Sequence, residues 1–383
     1  MNRSKSARLM LFAPIVIILY LLLFPYPLGR ELVAVPRWAA SLQAPDQPGA
    51  ASTASGDAQE AAPGAGVFAA PGAGLYAAPF RLGDLFGFVS PAGALVHLER
   101  ELYQVTIAPT GFVSFGRLDT DWILRGPTGD PQGAYSSHGY PLLGAEGRRL
   151  LAVKTDLSGV QELAPTGDVL WSRDFPAPVT SASVEADLTA AGLLNGSLLV
   201  IDRQGAVVLD ARPGPSRIRA IYGVSLSRDG KMLAAVSGID PQRLTLWRWS
   251  GISFRVVESR PLPTSFRREV RIAFSPNGRI LLLEGNAAVG AYRTVSHRLT
   301  WLPVPGAVRD VSFLEPEGTV ALTAGSETAN QLMLFEPPEG PILRVPVPVG
   351  VSLSTVKGQL LLGVPALPQG NPPQLLRLDV EAR

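Results

Sequence analysis

Few residues of this chain have the type and spacing that catalysis or metal binding requires. Its three histidines, His97, His138 and His297, are far apart in sequence, and no pair has the spacing of two ligands on one metal ion. The chain has no cysteine, which excludes disulfides, thiolate metal sites and a cysteine nucleophile. We therefore predict no catalytic residue, no metal ligand and no cofactor-binding residue.

One stretch, 125–141, reads as a long irregular insertion rich in glycine. Loops on a rigid scaffold are where binding residues gather, and the stretch carries a serine, a histidine and an aspartate. The sequence offers no further residues to support a Ser–His–Asp hydrolase, so a surface loop and a partner-contact loop are the favoured interpretations. The candidate contact residues are Asp130, Ser136, Ser137, His138 and Tyr140.

The densest basic run lies between positions 255 and 271. In a β-strand, residues 267, 269 and 271 share one face, so Arg267, Glu269 and Arg271 are expected to form a solvated row that compensates its own charge. An anionic lipid or an acidic partner is the alternative reason for such a run. The candidate basic patch comprises Arg255, Arg260, Arg267, Arg268 and Arg271.

An internal repeat indicates the elements that would position these residues. A short turn ending in glycine, followed at once by an apolar strand, recurs at 89–96, 226–234, 274–282, 314–322 and 353–362. The turn glycines Gly93, Gly147, Gly230, Gly278, Gly318 and Gly358 are separated by 54, 83, 48, 40 and 40 residues. The gap of 83 is about twice the others, so one unit is expected inside it, in 179–214. Seven units of about 43 residues result.

Each unit has room for four short strands, which is what one blade of a β-propeller requires. The fold class is therefore predicted to be all-β, with a seven-bladed β-propeller over residues 80–383. The last unit shows only three strands before the chain ends. We expect residues 76–82 to supply the fourth strand and close the ring. A two-sheet sandwich is the alternative, although seven repeated turns do not suit it.

The turns at 226–234 and 274–282 carry Ser-Arg-Asp-Gly-Lys and Ser-Pro-Asn-Gly-Arg, and 89–96 carries Ser-Pro-Ala-Gly. This phrase resembles the turn between the first two strands of blades in WD-repeat and TolB-like propellers. The segment 164–171, Ala-Pro-Thr-Gly-Asp-Val-Leu-Trp, looks instead like the outer strands of a quinoprotein-type blade. The resemblance covers residues 80–383 and implies a propeller architecture without implying an activity.

The N-terminal segment has the pattern of a membrane anchor. Residues 9–29 carry no charge and are rich in Leu, Ile, Val and Phe, which is long enough for a helix that crosses a bilayer. Arg3, Lys5 and Arg8 precede this segment, so residues 1–8 are predicted to be cytoplasmic and the rest of the chain periplasmic or extracellular. A cleaved signal peptide is the alternative interpretation.

Residues 30–79 are predicted to be a linker. Much of this range consists of Ala, Gly, Pro and Ser, and an octapeptide, Ala-Ala-Pro-Gly-Ala-Gly followed by Val-Phe or Leu-Tyr, occurs at 61–68 and again at 69–76. Such a composition buries too little apolar surface to offset the entropy of ordering the chain. We expect a flexible tether between the anchor and the propeller.

Composition limits the class of partner. The net charge of +2 gives no argument for nucleic acid, while 46% hydrophobic residues allow a large core. The sequence therefore predicts a membrane-anchored, extracytoplasmic propeller that serves as a non-catalytic protein-binding or scaffold module of the cell envelope. The alternative is a lactonase-like or glycan-acting hydrolase, which requires several carboxylates or histidines to converge on the central channel.

Overall fold

A computed structural model describes residues 32–42, 77–101, 103–116, 121–144, 149–314, 318–337, 339–367 and 371–382. All regular elements in these ranges are β-strands, and they form eight antiparallel sheets. Pro36–Asp379 form one compact unit. The fold is an eight-bladed β-propeller.

The first four blades follow one another along the chain. Blade 1 has three described strands: β2 (Ala78–Leu82), β3 (Leu85–Val89) and β4 (Leu95–Arg100). Blade 2 has β5 (Gln104–Ala108), β6 (Gly111–Phe115), β7 (Asp121–Arg125) and β8 (Pro131–Ser136). Blade 3 has β9 (Tyr140–Leu143), β10 (Leu150–Val153), β11 (Gly159–Leu163) and β12 (Val169–Asp174). Blade 4 has β13 (Val179–Glu185), β14 (Leu188–Leu193), β15 (Leu198–Asp202) and β16 (Val207–Ala211).

The other four blades complete the ring. Blade 5 has β17 (Ile218–Leu226), β18 (Met232–Ile239), β19 (Arg243–Trp249) and β20 (Phe254–Pro261). Blade 6 has β21 (Ile272–Phe274), β22 (Ile280–Gly285), β23 (Ala288–Arg293) and β24 (Arg298–Pro303). Blade 7 has β25 (Ala307–Leu314), β26 (Thr319–Gly325), β27 (Asn330–Phe335) and β28 (Pro341–Val347). Blade 8 has β29 (Ser352–Val356), β30 (Gln359–Val364), β31 (Gln374–Ala382) and β1 (Leu32–Ser41).

The predicted number of seven blades is wrong, because the repeated turn does not occupy the same position in every blade. The turn of Gly93 joins β3 to β4, whereas the turns of Gly230, Gly278, Gly318 and Gly358 join the first two strands of their blades. Blade 2 lies inside the gap of 54 residues that was counted as a single unit. Its strands β5 and β6 meet at a tight turn without the repeated phrase, so the sequence pattern does not mark this blade.

A strand from the N-terminal side of the propeller completes the last blade, as predicted, but this strand is β1 and not the segment 76–82. Within the described residues, Ala78–Leu82 is β2, the first strand of blade 1. Strand β1 pairs with β31, and the Arg37 guanidinium donates to the Asp379 carboxylate at 2.7 Å. The predicted linker is therefore wrong over Leu32–Ser41. Residues 43–76 lie outside the described ranges.

The predicted anchor, residues 9–29, also lies outside the described ranges. Among the residues that are described, no helix is long and apolar enough to cross a membrane.

The Ser-x-x-Gly turns are built as the repeat implies. In blade 5, Ser227 Oγ accepts from the Met232 N–H at 2.8 Å and donates to Asp229, which in turn accepts from the Lys231 N–H. Ser275 and Asn277 of blade 6 make the equivalent bonds. Short side chains that satisfy the backbone of a tight turn explain why the same residue types recur there.

Each blade buries one face of its sheet against the next blade. Valine, leucine and alanine of the middle strands fill these interfaces: Leu233 and Ala235 of blade 5 pack with Ala190 and Val200 of blade 4. The boundary between blades 8 and 1 is packed in the same way, by residues that include Leu361, Leu375, Phe80 and Leu98. Because this last interface is as apolar as the others, the ring is closed.

A second contact recurs at the outer side of four interfaces. Rings on the outermost strands lie against the glycine of the last hairpin in the next blade. The pairs are Trp38 with Gly93, His97 with Gly129, and Trp171 with Gly205. A fourth glycine, Gly167, lies instead beside the backbone carbonyl of Ala134. A Cβ on Gly93, Gly129 or Gly205 would lie within 2.8 Å of the neighbouring ring. The spacings of 36, 38 and 38 residues between the four glycines are the sequence signal of this contact.

We expect Gly205→Ala to destabilise the protein more than Gly251→Ala. Both glycines have positive φ, +79° and +94°, but a Cβ on Gly205 would lie 2.8 Å from Trp171, whereas nothing lies within 4 Å of a Cβ on Gly251. Backbone strain alone costs about 1 kcal/mol, and strain with overpacking costs about 2–4 kcal/mol. Denaturant unfolding of both variants measures the difference. Equal losses would show that the ring contact contributes nothing.

Candidate functional site

The innermost strand of blade 6 is unusually short, and this creates a cavity. Strand β21 has three residues, whereas its partner β22 has six and continues past it to Glu284 and Gly285. The residues before β21, 262–271, are not in a strand. Pro261 and Pro263 have no backbone N–H to donate to a neighbouring strand, which favours irregular backbone at this point.

Gln242 of blade 5 holds the segment 262–271 in place. Its backbone carbonyl accepts from the Leu262 N–H at 2.7 Å, and its side chain accepts from Thr264 Oγ1 at 2.6 Å and donates to the Phe266 carbonyl at 3.1 Å. Further along, the Val270 N–H donates to the Tyr222 carbonyl. These bonds fix both ends of an otherwise irregular segment.

The cavity has a volume of about 560 Å³ and lies on the inner side of blades 4–7. Its wall includes Ser181 of blade 4 and Asp310 of blade 7, which both lie on the innermost strands of their blades. These two strands can border the same space only on the side that faces the axis of the ring. Most of the wall is apolar. The apolar residues include Val224, Ile272, Leu283, Val289, Val308 and Val311, and the charged ones are Arg268, Glu269, Arg271, Glu284 and Asp310.

An ion pair closes one side of the cavity. The Arg268 guanidinium donates to both oxygens of Glu284, at 3.0 and 2.6 Å, and also to the Glu269 carbonyl. The Glu284 side chain is buried, and it also accepts from the Arg271 N–H at 3.3 Å. Burial acts to raise the pKa of Glu284, but the hydrogen bonds and positive charge of Arg268 and Arg271 outweigh it and lower that pKa.

Arg271 and Asp310 also line the cavity, and each has its own hydrogen-bond partners. The Arg271 guanidinium donates to the carbonyls of Val308 and Arg309. Asp310 accepts from the Leu353 N–H of blade 8 at 3.3 Å. Burial raises the pKa of the Asp310 carboxyl, and the Leu353 N–H and the charge of Arg271 offset only part of this effect. Asp310 is thus a desolvated carboxyl group with little compensation.

The bond from Leu353 to Asp310 belongs to a repeated arrangement. Ser181 Oγ accepts from the Val224 N–H at 3.2 Å, and Ser183 Oγ accepts from the Leu226 N–H at 3.0 Å. In each pair a side chain on the innermost strand of one blade binds the backbone of the next blade, 43 residues later. Serine does this without charge in blade 4, whereas blade 7 uses a carboxylate.

The structure separates the predicted basic patch. Arg268 and Arg271 line the cavity, and Arg267 is exposed beside them on the same segment. Arg255 and Arg260 lie on β20, where Arg260 pairs with Glu258. The predicted strand row of residues 267, 269 and 271 is wrong, because this segment is not a strand and its ion pair joins Arg268 to Glu284.

The predicted insertion 125–141 is largely regular structure. Asp130 belongs to the hairpin between β7 and β8, Ser136 ends β8 and Tyr140 begins β9. Ser136 donates to Asp121, and buried Ser137 accepts from Gln161, while His138 is exposed. A role of these residues in partner contact stays a prediction.

The three histidines do not take part in the cavity wall. His97 is buried in blade 1, where its ring stacks on Phe112 at 5.2 Å and its Nε2 lies 3.3 Å from Glu99. His297 is in the last hairpin of blade 6, with Nδ1 2.7 Å from the Tyr292 hydroxyl. Across the described residues, no group of three or more His, Asp or Glu side chains is arranged to hold a metal ion.

Sequence reasoning missed Glu284 and Asp310. Glu284 interrupts the apolar strand Ile-Leu-Leu-Leu-Glu-Gly, whereas Asp310 stands among polar neighbours in Val-Arg-Asp-Val-Ser-Phe. A charged residue in a fully buried strand is the signal that marks Glu284, since such a residue needs a partner. Asp310 has no such signal, because β25 is only partly buried.

We expect Glu284→Gln to destabilise the protein at pH 7 by about 1–2 kcal/mol, because Arg268 loses its charged, two-point acceptor. The pKa of Glu284 is lowered in the folded state, so its contribution is present above the unfolded-state pKa of about 4.3 and is lost as the pH falls. Denaturant unfolding at several pH values should show wild type and variant converging below about pH 4. Glu327→Gln, at an exposed carboxylate, is the control. A difference that does not depend on pH would contradict this assignment.

Comparisons with known proteins agree with this architecture. Residues 1–367 match a family described as beta-propeller protein. An uncharacterized protein of Treponema pallidum (strain Nichols) is 22% identical over 334 residues, which cover 87% of this chain and 85% of that protein.

Two solved structures are similar in fold at 12% sequence identity. BamB from Moraxella catarrhalis has a TM-score of 0.56, with 91% of this chain and 100% of that chain covered. The hydrazine synthase of Kuenenia stuttgartiensis has a TM-score of 0.51, with 72% and 95% covered. The resemblance to propellers predicted from the turns is confirmed, and the chain belongs to this family of beta-propeller proteins.

Proposed function

We propose that this protein is a membrane-anchored, extracytoplasmic propeller that binds a partner protein at the segment 262–271 and the adjoining cavity, and that it has no catalytic role. The observation that carries the proposal is the combination of a firmly held irregular segment, exposed charges at Arg267 and Glu269, and a partly apolar cavity beside them. Rigid presentation lowers the entropic cost of binding.

The fold by itself does not distinguish binding from catalysis, because one similar structure is, by its name, an enzyme. The side chains of the cavity favour binding. A glycan-acting hydrolase generally needs two carboxyl groups, one as acid and one as base or nucleophile. Glu284 is held at both oxygens by Arg268, which leaves it poorly suited to exchange a proton. Of the other two carboxyl groups, Asp310 is partly buried and Glu269 is exposed to solvent, so the cavity does not enclose a pair of unpaired carboxyl groups.

Anchoring is supported by the sequence of residues 9–29, which carry no charge and follow three basic residues. In the proposed arrangement, residues 1–8 are cytoplasmic and the propeller lies in the periplasm or outside the cell. The ring would then present its loops to other proteins of the envelope.

We expect a variant that lacks residues 1–31 to leave the membrane fraction and to remain folded, because β1 is retained. A variant that lacks residues 1–42 should lose stability as well, since blade 8 then has no outermost strand. Membrane fractionation and thermal unfolding of both variants measure the two effects separately. Recovery of the 32–383 chain in the membrane fraction would refute the anchor.

Arg267→Glu should reduce the amount of partner protein that co-purifies with the full chain from detergent-solubilised membranes, by about fivefold or more. Arg267 is exposed on the proposed contact segment, and reversing a charge at a contact weakens a complementary interface. Arg255→Glu is the matched control, because Arg255 is exposed on β20, away from the cavity wall. Equal recovery of partners with both variants would place the contact elsewhere.

A further inference from the structure

The charges of the cavity are unevenly satisfied. Its two arginines have donors committed to acceptors of this chain: Arg268 to Glu284 and the Glu269 carbonyl, and Arg271 to the carbonyls of Val308 and Arg309. Neither arginine is therefore well placed to recognise an anionic ligand.

Two of the three carboxylates of the cavity, Asp310 and Glu269, are in the opposite situation. Asp310 accepts one backbone N–H at 3.3 Å and, within the described residues, no Lys or Arg side chain forms an ion pair with it. Glu269, exposed at the same cavity, likewise has no cationic side chain in contact among those residues. Asp310 is partly buried, and a partly buried carboxylate without a counter-ion is destabilising. A ligand that brings a positive charge reduces this cost.

The remaining wall indicates the rest of the ligand. The lining contains isoleucine, leucine and five valines, Val224, Val270, Val289, Val308 and Val311. An alkyl chain packs on such a surface while a terminal ammonium group binds a carboxylate, as lysine side chains do. The volume of about 560 Å³ is within the range of sites that enclose a small ligand and accommodates one such chain.

We infer that the cavity binds a lysine side chain of the partner protein, with the ammonium group at Asp310 and the alkyl chain along the valine wall. This inference rests on the proposed function and specifies its chemistry. A free alkylamine has the same charge and shape as a lysine side chain, and co-purification of a partner protein distinguishes the two sources.

The test uses the full chain in detergent with ¹³C-labelled valine methyl groups. The probe is Nα-acetyl-lysine N-methylamide, and the matched probe is the norleucine derivative, which has the same alkyl chain without the ammonium group. The lysine probe should shift the signals of the five cavity valines, and the norleucine probe should bind at least tenfold more weakly. A titration to about 50 mM probe detects binding with a Kd of order 10 mM. The inference would be overturned if no valine signal shifted over this range, or if the two probes bound with equal affinity.

Asp310→Asn provides the second arm, because asparagine keeps an acceptor for the Leu353 N–H but removes the charge. It should lower the affinity of the lysine probe about tenfold, while Asp187→Asn, at an exposed carboxylate outside the cavity wall, should not. Unchanged affinity in the Asp310 variant would overturn the assignment of the ammonium site. The comparison of the two probes on the wild-type chain stays decisive if that variant does not fold.

Co-purification separates this inference from the proposed function. If the wild-type chain recovers a partner and Asp310→Asn recovers as much, the lysine contact is wrong while partner binding stands. If the cavity valines respond to the lysine probe but no partner is recovered, the ligand is a free amine and the proposed function is wrong. Reduced recovery in the Asp310 variant, together with the valine shifts, supports the lysine side chain.

Discussion

The structure depends on each sheet burying one face against the next sheet around a closed circle. A blade of this size cannot cover both of its faces alone, so each blade is stable only between two neighbours. This is why valine, leucine and alanine dominate the middle strands. It is also why blade 8 takes its outermost strand from the other end of the chain, through β1.

Arranging sheets around an axis creates a second requirement at the centre. The innermost strand of each blade has a free edge there, and its N–H groups need acceptors. Serines of blade 4 meet this need for blade 5, and Asp310 meets it for blade 8. Where the innermost strand is cut short, at β21, the edge of β22 is instead covered by Arg271 and by the Arg268–Glu284 pair. The side chains that satisfy the backbone groups at the axis are therefore also the side chains that give the cavity its chemistry.

Much of the architecture could be predicted from the sequence because one turn recurs with its own hydrogen bonds. Ser227 and Ser275 mark the start of two blades through side-chain bonds that any Ser-x-x-Gly turn can make. Blade 2 could not be predicted in this way, because its first turn, before Gly111, is too tight to require these side-chain bonds. Strand β1 was not predicted, because it lies in a range that otherwise has the composition of a tether. Its partner strand, β31, is also far away in sequence.

The candidate site was harder to predict than the fold. Arg268 was identified as part of a basic run, but its partner Glu284 lies 16 residues later on another element. The connection depends on how far β21 extends, and strand ends are set by tertiary packing more than by local sequence. Asp310 is one isolated acidic residue in sequence, and only the ring brings it to the same space as Ser181.

The pairing of β1 with β31 also bears on how the protein is made. Arg37 and Asp379 are separated by 342 positions, so the contact that completes blade 8 joins the earliest described part of the chain to one of its last strands. Contacts of such long range form slowly, since a large loop has to be closed first. During synthesis blade 8 stays incomplete until the ribosome has made β31. A chain that stops before β31 would leave Leu32–Ser41 without its partner strand, and its unpaired edge would be open to other chains.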